Sequence, residues 1–209
     1  MNQRMKCTRC NAEFETQLGK KDATCGFCNM VLPRTGITDE QIKTEVVMRD
    51  ALNGNAHAQY KLGQMYEKGT GVEEDLKNAY EWYLKAYQQD YKSAAFKLGF
   101  FHANGKWVPK DFKKAIAYYM EAFQADKTDK VTIGNIGHSY YRLNDGKQAL
   151  KWLMMVPTYD FAQHILRHIY RDGEGVKKDL KEAFIWYSKA AAQGYTASEK
   201  EAKKILQEL

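Results

Sequence analysis

Four cysteines stand in two pairs near the start of the chain, Cys7-x-x-Cys10 and Cys25-x-x-Cys28, with 14 residues between the pairs. They are all the cysteines in 209 residues. Two thiolates spaced C-x2-C reach one ion from a single tight turn. Two such turns supply the closed tetrahedral S4 shell of a structural zinc. The competing chemistries are two disulfides or free thiols. A redox C-x-x-C belongs in a βαβ pattern, which this sequence lacks. Asn11 and Asn29 follow the pairs, and asparagine tolerates the left-handed backbone that such knuckles use.

The two pairs resemble a zinc ribbon over about residues 5–33. Four sulfurs leave no open position for water or substrate, so the expected Zn2+ is structural and single. The apolar groups available to this segment are Phe14, Leu18, Phe27, Met30, Val31 and Leu32. That is too little core to fold a short β unit alone, so the metal is expected to drive its folding. Glu13–Thr24 reads as a hairpin with Gly19, Lys20 and Lys21 near its tip. Residues 1–36 carry six basic and three acidic side chains. Four thiolates and one Zn2+ take this balance down to about +1.

The rest of the chain is organised by repetition. A shift of 36 residues superimposes Ala58, Leu62, Gly63, Gly69, Val72, Asp75, Ala79, Tyr83 and Ala86 on Ala94, Leu98, Gly99, Gly105, Val108, Asp111, Ala115, Tyr119 and Ala122. A shift of 104 superimposes Tyr66, Gly69, Gly71, Val72, Asp75, Ala79, Trp82, Tyr83 and Ala86 on Tyr170, Gly173, Gly175, Val176, Asp179, Ala183, Trp186, Tyr187 and Ala190. A period of this size implies a solenoid in which each unit buries its face on its neighbours. In each unit a first helix carries its apolar residues at i, i+4 and i+8. Glycines then turn the chain, an aspartate caps a second helix, and that helix alternates small and large side chains.

This pattern, A-x3-L-G-x2-Y-x2-G-x-G-V-x2-D-x3-A-x2-W-Y-x2-A, resembles the Sel1-like repeat, a relative of the tetratricopeptide repeat. The resemblance implies an all-α, right-handed α/α solenoid of antiparallel helix pairs, here preceded by the small β ribbon. The fourth copy has Arg167 at the helix-glycine position. The second has His102 for the tyrosine, Trp107 for the second turn glycine and Tyr118 for the tryptophan. The third departs most. Ile136, Gly137, Tyr140, Ala149 and Trp152 align, but Gly137 to Ala149 spans 12 residues where Gly63 to Ala79 spans 16. Thr38 and Gln41 form a capping box for an orphan helix over 38–52, and residues 196–208 form a polar capping helix. The expected division is residues 1–36 for ribbon and linker and residues 37–209 for the solenoid.

Such solenoids bind with the concave face lined by their first helices. The columns that the repeat pattern leaves free give the candidate partner-binding set Tyr60, Gln64, Phe96, Phe100, His138, Tyr141, His164, His168 and Arg171. Aromatic rings there offer apolar platforms for a peptide. The alternative is that some of these rings are packed between repeats. His164 and His168, at i and i+4, share a helix face, but no carboxylate shares their columns to complete a metal site.

The implied function is a non-enzymatic scaffold for a protein or peptide partner. No nucleophile-elbow, zincin or phosphate-loop motif is present. The alternative is a nucleic-acid-associated protein gripping backbone through Arg4, Lys6, Arg9, Lys20 and Lys21, against which the metallated charge balance argues. No run of 18 apolar residues occurs, and the chain opens without an apolar leader. Membrane insertion and secretion are therefore not expected, and a reducing cytoplasm fits the cysteine usage.

Overall fold

The computed structural model describes residues 2–6, 13–17, 22–24, 31–33, 38–194 and 196–209. The chain forms two compact units, Met1–Ala94 and Ala95–Leu209.

In the first unit four short strands, β1 (Asn2–Lys6), β2 (Glu13–Gln17), β3 (Asp22–Thr24) and β4 (Val31–Pro33), form two antiparallel ladders. β1 pairs with β2 from Asn2↔Gln17 to Lys6↔Glu13, and β3 pairs with β4 from Asp22↔Pro33 to Thr24↔Val31. The single hairpin expected over Glu13–Thr24 is therefore replaced by two. Strands of three to five residues carry too little alternation to specify their partner locally. Cys7, Cys10, Cys25 and Cys28 lie outside the described residues, in the connections that these ladders flank.

Three helices complete this unit: α1 (Asp39–Leu52), α2 (Ala56–Lys68) and α3 (Leu76–Gln88). Thr38 and Gln41 form the reciprocal capping box on α1. Asn55 caps α2 through the Ala58 amide, and Asp75 caps α3 through the Asn78 amide. Each such cap contributes about 1 kcal/mol. α1 packs on α2 and α2 on α3. Ala51, Ala58 and Leu62 are buried, with Val47, Met48, Met65, Tyr66 and Trp82 packed around them.

The second unit begins within α4 (Lys92–Asn104). It continues through α5 (Phe112–Ala125), α6 (Lys130–Arg142), α7 (Gly146–Leu153), α8 (Asp160–Asp172), α9 (Leu180–Ala192) and α10 (Thr196–Glu208). Asp111, Asp129, Asp145 and Asp179 cap α5, α6, α7 and α9. The shortened third copy shows up as α7, eight residues long. The core runs from Ala115 and Tyr119 through Ile136, Trp152 and Leu153 to Leu166, Ile169 and Trp186. A smaller cluster of Ala183, Tyr187, Ala202 and Ile205 seats α10 on α9.

One contact recurs in the first three repeats. A Cβ built on Gly63 falls 2.7 Å from the Tyr83 ring, and one on Gly99 falls 2.8 Å from the Tyr119 ring. On Gly137 it falls 2.6 Å from Leu153. Glycine there lets the first helix rest against a large side chain of the second. In the fourth repeat Arg167 replaces the glycine, and its guanidinium carbon lies 5.2 Å from the centre of the Tyr187 ring. Trp107 is the other substitution with a backbone consequence. It holds φ +61°, close to the +72° of Gly71 and +70° of Gly175, yet 56% of it is exposed. A bulky residue in the left-handed region is strained.

Candidate partner-binding face

The predicted face is carried by the first helices α2, α4, α6 and α8. A helix presents residues three and four apart on one side, so the helical period decides which side chains the face receives. None of the nine predicted residues is fully buried.

In the first unit Tyr60 and Gln64 meet each other: Gln64 Nε2 donates to the Tyr60 hydroxyl at 3.2 Å. The Tyr60 ring leans on Tyr83 at 5.5 Å and on Tyr91 at 5.1 Å. Burial, then the neighbouring Tyr91 and Glu67, pushes the Tyr60 hydroxyl above its ordinary pKa. These contacts make Tyr60 part of an aromatic stack as much as a platform.

In the second unit Phe96 tilts against Tyr119 at 5.5 Å and borders the core. Phe100 is half-buried, with the Lys106 ammonium 5.1 Å from its ring centre. It shares a cavity of about 330 Å3 with Ala103 and Asn104 of α4, Asn135 and His138 of α6, and Tyr159 and Phe161 at the start of α8. Gly134 makes room for this wall, since a Cβ there would meet the rings of Tyr159 and Phe161 at 2.9 and 3.3 Å. The His138 ring stands edge-on to Phe161 at 5.4 Å and to Phe112 at 6.4 Å. A second cavity of about 200 Å3 is lined by Asp160, Phe161, His164, Arg167 and Ala190. Phe161 is thus a wall of both. Tyr141 lines a separate cavity with Arg142, Asn144 and Glu174.

The histidines sit in a positive field. His164 and His168 stand edge to face at 4.9 Å. Burial and then Arg142 lower the His138 pKa. Burial and then Arg167 lower that of His164. His168 is pushed down to about 4 by burial, then by Arg171, His164 and Arg167, against which Asp172 is the smallest influence. Arg171 itself is anchored, donating to Asp172 at 2.7 and 2.8 Å and to the Tyr187 hydroxyl at 2.8 Å. Arg167 reaches Ser198 and His164. Among the described residues no three His, Cys, Asp or Glu side chains gather as metal ligands.

The structure therefore brings Phe100 and His138 together around one cavity, with His164 beside it, and sets Tyr141 apart. The column reasoning missed Asn104, Asn135, Tyr159 and Arg167 as lining residues. Asparagine disfavours helix interiors, so Asn135 in the middle of α6 is the one sequence signal that could have drawn attention there.

The Sel1 repeat family model matches residues 56–91, 92–126 and 162–195. The divergent third copy falls in the gap between the matched segments. A Sel1 repeat protein from Oxalobacter formigenes shares 28% identity, with 75% of this chain and 67% of that chain covered and a TM-score of 0.59. A protective antigen of uropathogenic Escherichia coli with an SLR fold shares 30% identity over 81% of this chain and 38% of that one, with a TM-score of 0.63. Chitin synthase regulatory factor 3 of Schizosaccharomyces pombe is 28% identical over 169 residues, which are 79% of this chain. The match spans 14% of that relative's length. With these likenesses, the helices described in each unit have the fold of an all-α solenoid. Among the described residues no helix is long and apolar enough to cross a membrane.

Proposed function

Because this chain belongs to the Sel1 repeat family, whose proteins are protein-interaction scaffolds, we propose that it is a non-enzymatic adaptor working in the cytoplasm. Its partner is a protein or peptide held on the first-helix face of the second unit. The observation that carries this reading is the aromatic-walled cavity shared by Phe100, Tyr159 and Phe161, open to solvent and flanked by polar groups. Aromatic anchors dominate the energetics of partner sites. A relative named as a regulatory factor fits a protein that acts through what it holds.

The second docking module is a zinc ribbon at residues 1–36, its single structural Zn2+ held by Cys7, Cys10, Cys25 and Cys28. Two observations support it. Each C-x2-C lies in a connection closed by an antiparallel ladder, at Lys6↔Glu13 and at Thr24↔Val31. The four sulfurs match the donor set of a closed site. Elemental analysis after metal-replete expression is expected to find one zinc per chain. Substoichiometric zinc with two disulfides by mass spectrometry overturns the site. A chelator is expected to unfold the ribbon while most helical circular dichroism remains.

The adaptor reading is tested by affinity capture from the native cell with the wild-type chain and with Phe100→Ala. The expected result is a partner lost by the variant at unchanged helicity. Retention of the same partner at full yield moves the binding surface elsewhere.

A further inference from the structure

The two cavities that share Phe161 differ in chemistry, and their juxtaposition describes a ligand. We propose that this face binds an extended peptide carrying an acidic side chain two residues from an aromatic or large aliphatic one. The apolar side chain enters the cavity of Phe100, Tyr159 and Phe161, and the carboxylate enters the cavity of His164 and Arg167. The proposal rests on the first-helix face being the partner site.

Three observations carry it. The first is spacing. In an extended peptide residues i and i+2 point to the same side about 7 Å apart. Phe161 lines both cavities, so they adjoin, as the same-side residues of an extended peptide do.

The second is a pair of backbone readers. Asn104 Nδ2 donates to the Phe100 carbonyl at 2.8 Å, and Asn135 Nδ2 donates to the Val131 carbonyl at 2.8 Å. Each amide is thereby fixed on its own helix, leaving its Oδ1 to accept a peptide N–H. Two such amides, one on α4 and one on α6, rim the same cavity. They hold main chain whatever its sequence, so selectivity is left to the two cavities.

The third is charge. Burial lowers the pKa of His138, His164 and His168, and Arg142 of α6 at His138, Arg167 of α8 at His164 and Arg171 of α8 at His168 add to the lowering. The opposing groups are few. Asp172 is engaged by Arg171, Asp160 lines the carboxylate cavity, Glu201 of α10 faces Arg171 and His168, and Tyr187 of α9 receives Arg171. An incoming carboxylate complements this field and lets His164 take up a proton. Acidic-peptide affinity is therefore expected to rise as pH falls below the ordinary histidine value of about 6.5, where peptide carboxylates stay ionised.

The test titrates the full-length protein with three terminally blocked peptides, Asp-Ala-Phe-Ala-Asp, Lys-Ala-Phe-Ala-Lys and Asp-Ala-Ala-Ala-Asp, by calorimetry and by histidine-ring NMR shifts. The aspartates flank the ring so that either chain direction is served. The first peptide is expected to bind at least about tenfold more tightly than either other one. His164→Gln is expected to flatten its pH dependence. Asn135→Asp, nearly isosteric, is expected to weaken the Asp peptide and not the Lys peptide. Equal affinity for the Asp and Lys peptides, both lost in Phe100→Ala, overturns the acidic preference and leaves the face as the partner site. Binding indifferent to both Phe100→Ala and Asn135→Asp overturns the face as well. No binding by any peptide at millimolar concentration overturns the acidic-aromatic ligand outright.

Discussion

Three equivalent tyrosines permit a test in which one chemical change has opposite signs. Tyr83, Tyr119 and Tyr187 are 0%, 0% and 2% exposed, each on the second helix of its repeat. The Tyr83 hydroxyl donates to Glu67 at 2.7 Å, and the Tyr187 hydroxyl accepts from Arg171 at 2.8 Å. The Tyr119 hydroxyl is buried with no hydrogen-bond partner among the described residues. Burial alone raises the Tyr119 pKa, whereas Glu67 adds to the rise at Tyr83. A hydrogen bond to a charged group is worth about 1.5–3 kcal/mol, and an unsatisfied buried donor costs about 1–3 kcal/mol. Glu67 is half-buried and can rehydrate, and Arg171 keeps Asp172, so both losses fall at the low end. Tyr83→Phe and Tyr187→Phe are therefore expected to destabilise by about 1.5 kcal/mol, and Tyr119→Phe to stabilise by about 1 kcal/mol. For a chain of this length each kcal/mol moves Tm by about 2–4 °C. Circular dichroism melts of the three variants side by side measure it. A Tyr119→Phe variant that melts as early as Tyr83→Phe refutes the reasoning, because its hydroxyl must then be satisfied.

Ala103 occupies the position of Glu67 one repeat later, so Ala103→Glu is expected to give Tyr119 an acceptor and add about 1 kcal/mol in urea melts, a gain that vanishes in a Tyr119→Phe background. The same variant is expected to weaken the Asp-Ala-Phe-Ala-Asp peptide, because Ala103 lines its cavity. Gly99→Ala places a Cβ 2.8 Å from Tyr119 and 3.2 Å from the Ala115 carbonyl oxygen. Overpacking of about 1–3 kcal/mol is expected to outweigh the helix-propensity gain of about 1 kcal/mol, seen as a lower urea midpoint. His168 is expected to titrate near pH 4 by NMR, below the ordinary 6.5. The unfolded chain then takes up its proton first, so His168 leaves stability intact above pH 6.5 and lowers it as pH falls toward 4, which His168→Gln should lessen. DNA and RNA are expected to bind weakly and to release at moderate salt, and tight selective binding at physiological salt in a filter assay would overturn this.

What was legible in the sequence was whatever local chemistry fixes. Asp75, Asp111 and Asp179 announce helix starts because a cap bonds an amide three residues away. Gly63 and Gly99 announce helix contact because a Cβ there would meet the ring of Tyr83 or Tyr119. The orphan helix was legible for the same reason, through the Thr38 and Gln41 capping box. Strand pairing before residue 34 was not, since partners of three to five residues are chosen non-locally. The columns of the proposed face follow from helical period alone. Its cavities do not. They depend on Gly134 admitting Tyr159 and Phe161, residues 25 and 27 positions downstream. Phe96, expected as a free platform, turns instead toward Tyr119.

The buried tyrosine hydroxyl has a further meaning for how such a protein diversifies. It donates a hydrogen bond to Glu67 in one repeat and accepts one from Arg171 in another, with the ring buried in both. A phenol is both donor and acceptor, so the interior is blind to the sign of the charge it anchors outside. Each repeat can exchange acid for base on its exposed helix without repacking a neighbour. Recognition can thus be rewritten one repeat at a time, with the scaffold insulated from the change.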